Sequence, residues 1–182
     1  MIQQDEMKGG LKLQELVEVL GLTVVNKGTG YEEALVGIKD VNRPGLQLMG
    51  FFDYFDERRL QVIGMAETKM LESMDAEERT QRFARLFEYD IPALVVSRDL
   101  DIYPECLAMA RKHQRTLLHT TDTTVAFTTK VIEYLTHALA PTITRHGVLL
   151  DISGEGVLVT GDSGVGKSEA AIELVMRGHR LV

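Results

Sequence analysis

A chain of 182 residues has room for one large domain or two small ones, and 45% hydrophobic residues is enough for a packed core. Lys and Arg number 20 against 27 for Asp and Glu, so the formal charge of -7 disfavours nucleic acid or an anionic membrane as partner of the whole chain. The single cysteine, Cys106, excludes an internal disulfide and fits a reducing cytosol, where its simplest role is that of a small buried apolar side chain. MIQQDEMKGG lacks the apolar core of a signal peptide and no apolar run approaches membrane-spanning length, so the expectation is a soluble cytoplasmic protein.

The first part of the chain alternates short apolar runs with amphipathic patterns. Leu11 to Leu20 places Leu13, Leu16, Val17 and Leu20 on one helical face, with Gly21 as the stop. Leu22 to Val25 reads as a strand. In NRPGLQLMGFFDYF, Pro44 marks a helix start, and Gly50 with Phe51, Phe52 and Phe55 reads as tightly packed core. Arg59 to Gly64 reads as a strand, and Asp75 with Glu78 as a capping box opening a helix to about Glu88. Pro92 to Ser97 is the clearest strand of this half. Pro104 to Lys112 is helical, Thr116 to Thr120 is β-rich, and Asp122 is a candidate cap for a long helix ending near Leu139. Three consecutive strand-helix units predict a three-layer α/β domain on a mostly parallel sheet, covering residues 1–138. His113, His119 and His137 stand isolated in this region and read as surface or satisfied core residues, with no metal-ligand cluster or catalytic triad around them. ALAPTIT, Ala138 to Thr144, breaks the long helix at Pro141 and is the candidate junction to a second domain over residues 139–182.

The second domain carries the chemistry. GVLVTGDSGVGKSEAAIELVMRG, Gly156 to Gly178, contains the phosphate-loop signature G-x-x-x-x-G-K-[ST]. Gly161, Asp162, Ser163, Gly164, Val165, Gly166, Lys167 and Ser168 form the loop, between a β-type run at Val157 to Val159 and a helical pattern at Ala170, Ala171, Leu174 and Val175. Backbone N–H groups in such a turn make a concave nest for phosphate oxygens, and the helix dipole adds to their field. Lys167 supplies a mobile charge for the outer phosphates, and the Ser168 hydroxyl suits a hard, oxygen-seeking Mg²⁺. Ahead of the loop, Gly147 to Ile152 and Gly156 to Gly161 are β-rich runs separated by Ser153, Gly154 and Glu155, too close for a parallel crossover. They should pair antiparallel. With a turn centred on Gly154 and Glu155, His146 comes to lie across from a residue near Ser163, inside the loop. On spacing alone His146 is either an active-site group or a strand-end histidine with no role.

The string HGVLLDISGEGVLVTGDSGVGKSEAAIELVMRGHRLV, from His146 to Val182, resembles the start of the catalytic domain of the HPr kinase/phosphorylase family. NRPGLQLMGFF is similar to that family's N-terminal half. The resemblance implies a kinase that phosphorylates a serine of the phosphocarrier protein HPr from ATP or pyrophosphate, reverses this by phosphorolysis, and serves carbon catabolite repression. It implies a homo-oligomer, a hexamer, and a catalytic domain related to phosphoenolpyruvate carboxykinase. Carried over by position, His146 and Lys167 match active-site residues, Gly161 to Ser168 the nucleotide loop, and Ser168 a Mg²⁺ ligand. Ser153, where the family suggests an aromatic residue, and Thr142, where it suggests a basic one, are departures that bear on hairpin packing.

The family also implies a pair of aspartates, a later metal carboxylate and HPr-recognising segments downstream of RGHRLV. The expectation from the sequence is therefore an inactive fragment of such an enzyme. A non-catalytic assembly or interaction fragment, and a P-loop small-molecule kinase or carboxykinase relative, are the competing readings.

Overall fold

In the computed structural model, which describes residues 9–142 and 145–182, the apolar stripe of the first segment becomes a helix slightly later than expected. Leu11–Lys12 form a short strand, β1, and α1 runs over Leu13–Leu20 with Leu13, Leu16 and Val17 buried. Gly21 takes φ 62° and its N–H bonds the Glu18 and Val17 carbonyls, a left-handed stop that a Cβ would resist. β2 (Thr23–Asn26) follows. Two strands of two residues each, β3 (Leu35–Val36) and β4 (Val41–Asn42), are too short to carry a periodic signal and were not anticipated. The leader reading of the N-terminus, as far as residues 1–8, and the last two residues of ALAPTIT lie outside the described residues.

Pro44 caps the short helix α2 (Gly45–Leu48), and β5 (Leu60–Ile63) leads into α3 (Met65–Glu72), a helix that the sequence reading passed over. α4 (Ala76–Phe87) opens on the expected capping box: the Glu78 N–H donates to Asp75 Oδ1 at 2.9 Å, and the Asp75 N–H to Glu78 Oε2 at 3.3 Å. β6 (Leu94–Val96), α5 (Pro104–Lys112), β7 (Leu117–His119) and α6 (Thr124–Ala138) complete this part of the chain. Asp122 is not the cap of α6. Thr123 is, its Oγ1 accepting from the Ala126 N–H at 3.3 Å, while the Asp122 carboxylate pairs with Lys130 Nζ at 2.7 Å. A one-residue difference of this kind depends on where the chain leaves β7, which local pattern does not encode.

The sheet order is β2-β7-β6-β5-β4, with β4 to β7 parallel and β2 antiparallel at the edge. Successive strand residues serve different cores. Leu60, Val62, Ala93, Val95 and Leu118 pack with Leu16, Phe127, Val131 and Leu135 from α1 and α6. Ile63, Leu94, Val96 and Leu117 pack with Leu71, Phe83, Phe87 and Cys106 from α3, α4 and α5. This is the expected three-layer α/β arrangement on a mostly parallel sheet, with β2 as its antiparallel edge. Full burial of each Leu, Ile, Val or Phe among them is worth about 1.5–3 kcal/mol over exposure. The phenylalanine cluster meets its reading as core only in part. Phe51 and Tyr54 are exposed, and Phe52 and Phe55 are half-buried against Tyr89, whose ring stacks on Phe52 at 4.9 Å.

The chain divides into two compact units, one spanning Met7–Ala140 and the other containing Pro141–Val182. In the second, β8 (Gly147–Ile152) and β9 (Glu155–Thr160) form an antiparallel hairpin that leads to α7 (Lys167–Met176) and β10 (Arg180–Leu181). β10 pairs antiparallel with β8, so the order is β10-β8-β9. The turn has two residues, Ser153 and Gly154, at φ 57° and 90°, the left-handed pair that matches strand twist. Glu155 belongs to β9, opposite Ile152, and not to the turn as first read.

Candidate phosphate-binding site

The hairpin register decides which residues meet at the loop. Gly147 pairs with Thr160, and one further step places His146 across from Gly161. The expected partner near Ser163 is thus corrected, because the turn sits on Ser153 and Gly154, one residue earlier than a turn centred on Gly154 and Glu155, and that moves every pairing by two residues. His146 still reaches the loop. It lines, with Arg145, Thr160, Gly161, Asp162, Ser163 and Lys167, an open cleft of about 710 Å³.

Within the loop, Gly164 and Gly166 hold φ of 80° and 94°, and Gly166 is the residue from which α7 starts. Side chains there would be strained, which is the physical content of the glycine spacing. A Cβ on Gly161 would lie 2.9 Å from Val165 Cγ1, so the loop also closes tightly on its first residue. The first helical bond of α7 runs from the Ala170 N–H to the Gly166 carbonyl. The N–H groups ahead of it point out of the helix end, the arrangement that receives anions. Lys167 Nζ donates to the carbonyls of Gly161 at 2.8 Å and Asp162 at 2.7 Å, which draws the side chain across the loop.

Of the sequence-predicted residues, His146, Gly161, Asp162, Ser163 and Lys167 share the cleft wall. Gly164, Val165, Gly166 and Ser168 belong to the same turn but do not line it, and Ser168 is exposed in the first turn of α7. Arg145 and Thr160 were missed. The signal was present, since both flank residues already singled out, yet only the observed register assigns them to the mouth of the cleft. The donor set fits a phosphate-bearing ligand: backbone amides at a helix start, a lysine, an arginine and a hydroxyl. Elsewhere, His119 Nε2 lies 3.7 Å from Asp99 Oδ1, and burial pushes the Cys106 thiol far up, which keeps it protonated and unreactive. Among the described residues, no group of three His, Cys, Asp or Glu side chains is arranged to hold a metal, and no helix is long and apolar enough to cross a membrane.

Fold and site together define an α/β protein in which a hairpin, a glycine loop and a helix make an anion-receptive cleft. The family HPr Serine kinase N terminus matches residues 11–135, and HPr Serine kinase C-terminal domain matches residues 137–182; the chain belongs to this family. Curated relatives named HPr kinase/phosphorylase include one from Alkaliphilus metalliredigens, 53% identical over 81% of this chain and 48% of its own length. One from Clostridium tetani is 45% identical over 95% of this chain and 56% of its own, and one from Caldicellulosiruptor bescii 45% over 92% and 54%. The chain spans about half the length of these relatives. A crystal structure of the CBS and DRTGG domains of a Clostridium perfringens pyrophosphatase, complexed with the activator diadenosine tetraphosphate, shares the fold. Its TM-score is 0.50 at 16% identity, over 71% of this chain and 49% of that one.

Proposed function

We propose that this chain forms part of a bifunctional protein-serine kinase/phosphorylase that acts on the phosphocarrier protein HPr. The observation that carries the reading is the shared cleft of His146 and Lys167 at the phosphate loop, in a chain of the HPr serine kinase family. ATP or pyrophosphate is the phosphoryl donor in this reading. The amides of Gly161 to Ser168 receive the donor phosphates, and Lys167 leaves its bonds to the loop carbonyls to neutralise the outer ones. Mg²⁺, held in part by the Ser168 hydroxyl, would supply further charge neutralisation at the phosphates. His146 assists transfer from the β8 side of the cleft. A relation of the second unit to phosphoenolpyruvate carboxykinase, a homo-oligomeric hexamer, cytoplasmic placement and a role in carbon catabolite regulation belong to the same proposal, as does a junction between domains near residue 139. The antiparallel entry into the loop, β8 beside β9, supports a fold other than the ordinary parallel nucleotide-binding one.

The test has two parts. Calorimetric titration of the purified chain with ATP and pyrophosphate, each with Mg²⁺, should give saturable binding. A chimera in which this segment replaces the matching segment of the Clostridium tetani relative should form phosphoserine on HPr and remove it again. A chimera that folds and turns over ATP on a small metabolite, while leaving HPr unmodified, would replace this reading by that of a metabolite kinase.

A further inference from the structure

Lysine has three N–H donors, and two of those on Lys167 go to the Gly161 and Asp162 carbonyls. One is left over, and the other two reach an anion only once the loop carbonyls are released, so the ammonium serves it from the loop side alone. A terminal phosphate presents three oxygens, so the cleft needs further donors on a side the loop amides do not cover. Arg145 is placed to supply them. It precedes His146 just ahead of β8, beyond the last pair of the ladder, Gly147 with Thr160, and lines the cleft together with Asp162. Its guanidinium offers five donors in a planar fork that matches two phosphate oxygens at once, which an ammonium cannot do. With Lys167 and Arg145 against the single carboxylate of Asp162, the cleft lining is net positive in a chain of formal charge -7. Negative charge elsewhere does not reach into it at physiological salt beyond about 8 Å.

We propose that Arg145 is a second phosphate-binding residue of the cleft, contacting the terminal phosphate of a phosphoanhydride donor from the β8 side. This rests on the reading of Gly161 to Ser168 as the donor loop. Arg145 extends that site by a cation that the loop signature does not contain.

The experiment is calorimetric titration of the full 182-residue chain with pyrophosphate and Mg²⁺, at low and high salt, for wild type, Arg145→Gln, Arg145→Lys and Lys167→Ala. Arg145→Gln should weaken binding roughly tenfold, the scale of one charge-assisted contact. Arg145→Lys should recover part of that loss, high salt should narrow the gap, and the melting temperature should stay at the wild-type value in all three variants. Wild-type affinity in Arg145→Gln, alongside lost binding in Lys167→Ala, would overturn the role of Arg145 and leave the loop reading intact. No binding by the wild type, or full binding by Lys167→Ala, would instead sink the loop reading, and this inference with it. If Arg145→Gln lowers the melting temperature, Arg145→Lys decides: normal stability with no recovery of affinity also overturns the assignment.

Discussion

Lys167 Nζ donates to the Gly161 carbonyl at 2.8 Å, which ties the first residue of α7 to the first residue of the loop. Both bonds of this ammonium are exposed, and exposed bonds contribute little to stability. Lys167→Ala should therefore leave the thermal transition almost unmoved while reducing the affinity for ATP and for pyrophosphate by tenfold or more, roughly the scale of a lost charged contact. A large drop in melting temperature with affinity retained would show that the lysine holds the loop together and does not bind.

His146 is exposed at the mouth of β8, so nothing in its surroundings asks for it structurally. In the chimera described above, His146→Ala should slow phosphorylation and dephosphorylation of HPr together, with an unchanged melting temperature. The combination matters because a strand-end histidine without a role would move neither, and a structural one would move stability first.

Arg79 of α4 and Glu105 of α5 form an ion pair at 2.8 Å with both side chains largely covered. The hydrogen bond from Arg79 lowers the Glu105 pKa below its ordinary 4.5. A lowered carboxylate pKa contributes stability that is present above the unfolded value and disappears as pH falls through the folded one. Glu105→Gln should melt below wild type at pH 7, and the difference should close as pH drops below 4.5. A gap that persists at pH 3 would assign the loss to packing.

Phe127 is fully buried among the helices of the first core, whereas Phe51 is 48% exposed. Phe127→Ala should cost about 3–5 kcal/mol in denaturant unfolding. Phe51→Ala should stay within about 0.5 kcal/mol. Comparable losses would mean that the aromatic run around Phe51 belongs to the core after all.

Thr123 rather than Asp122 accepts from the α6 amide at Ala126. Thr123→Ala should cost about 1 kcal/mol, as loss of a cap does, and Asp75→Ala a similar amount at α4. Asp122→Ala loses only an exposed pair with Lys130, worth roughly 0–1 kcal/mol. Equal losses at Asp122 and Thr123 would contradict the assignment.

Much of this fold is legible in the sequence. The continuous apolar run at β6 announces a strand covered on both faces, and Asp75 with Glu78 announces a helix start, because both effects act within a few residues. β3 and β4 were invisible, since strands of two residues take their conformation from partners elsewhere in the chain. The exposure of Phe51 has the same origin: apolarity was visible, but whether a side chain finds a partner depends on elements distant in the chain.

At the site, the sequence by itself determined the loop, because Gly164 and Gly166 meet a local demand for positive φ and Lys167 and Ser168 open the helix that follows. It also determined the antiparallel hairpin, since so short a link allows no other pairing. Tertiary structure decided the register. One residue more or less in the turn moves the whole of β8 along β9, so only the observed pairing of Gly147 with Thr160 places His146 across from Gly161 and brings Arg145 to the cleft.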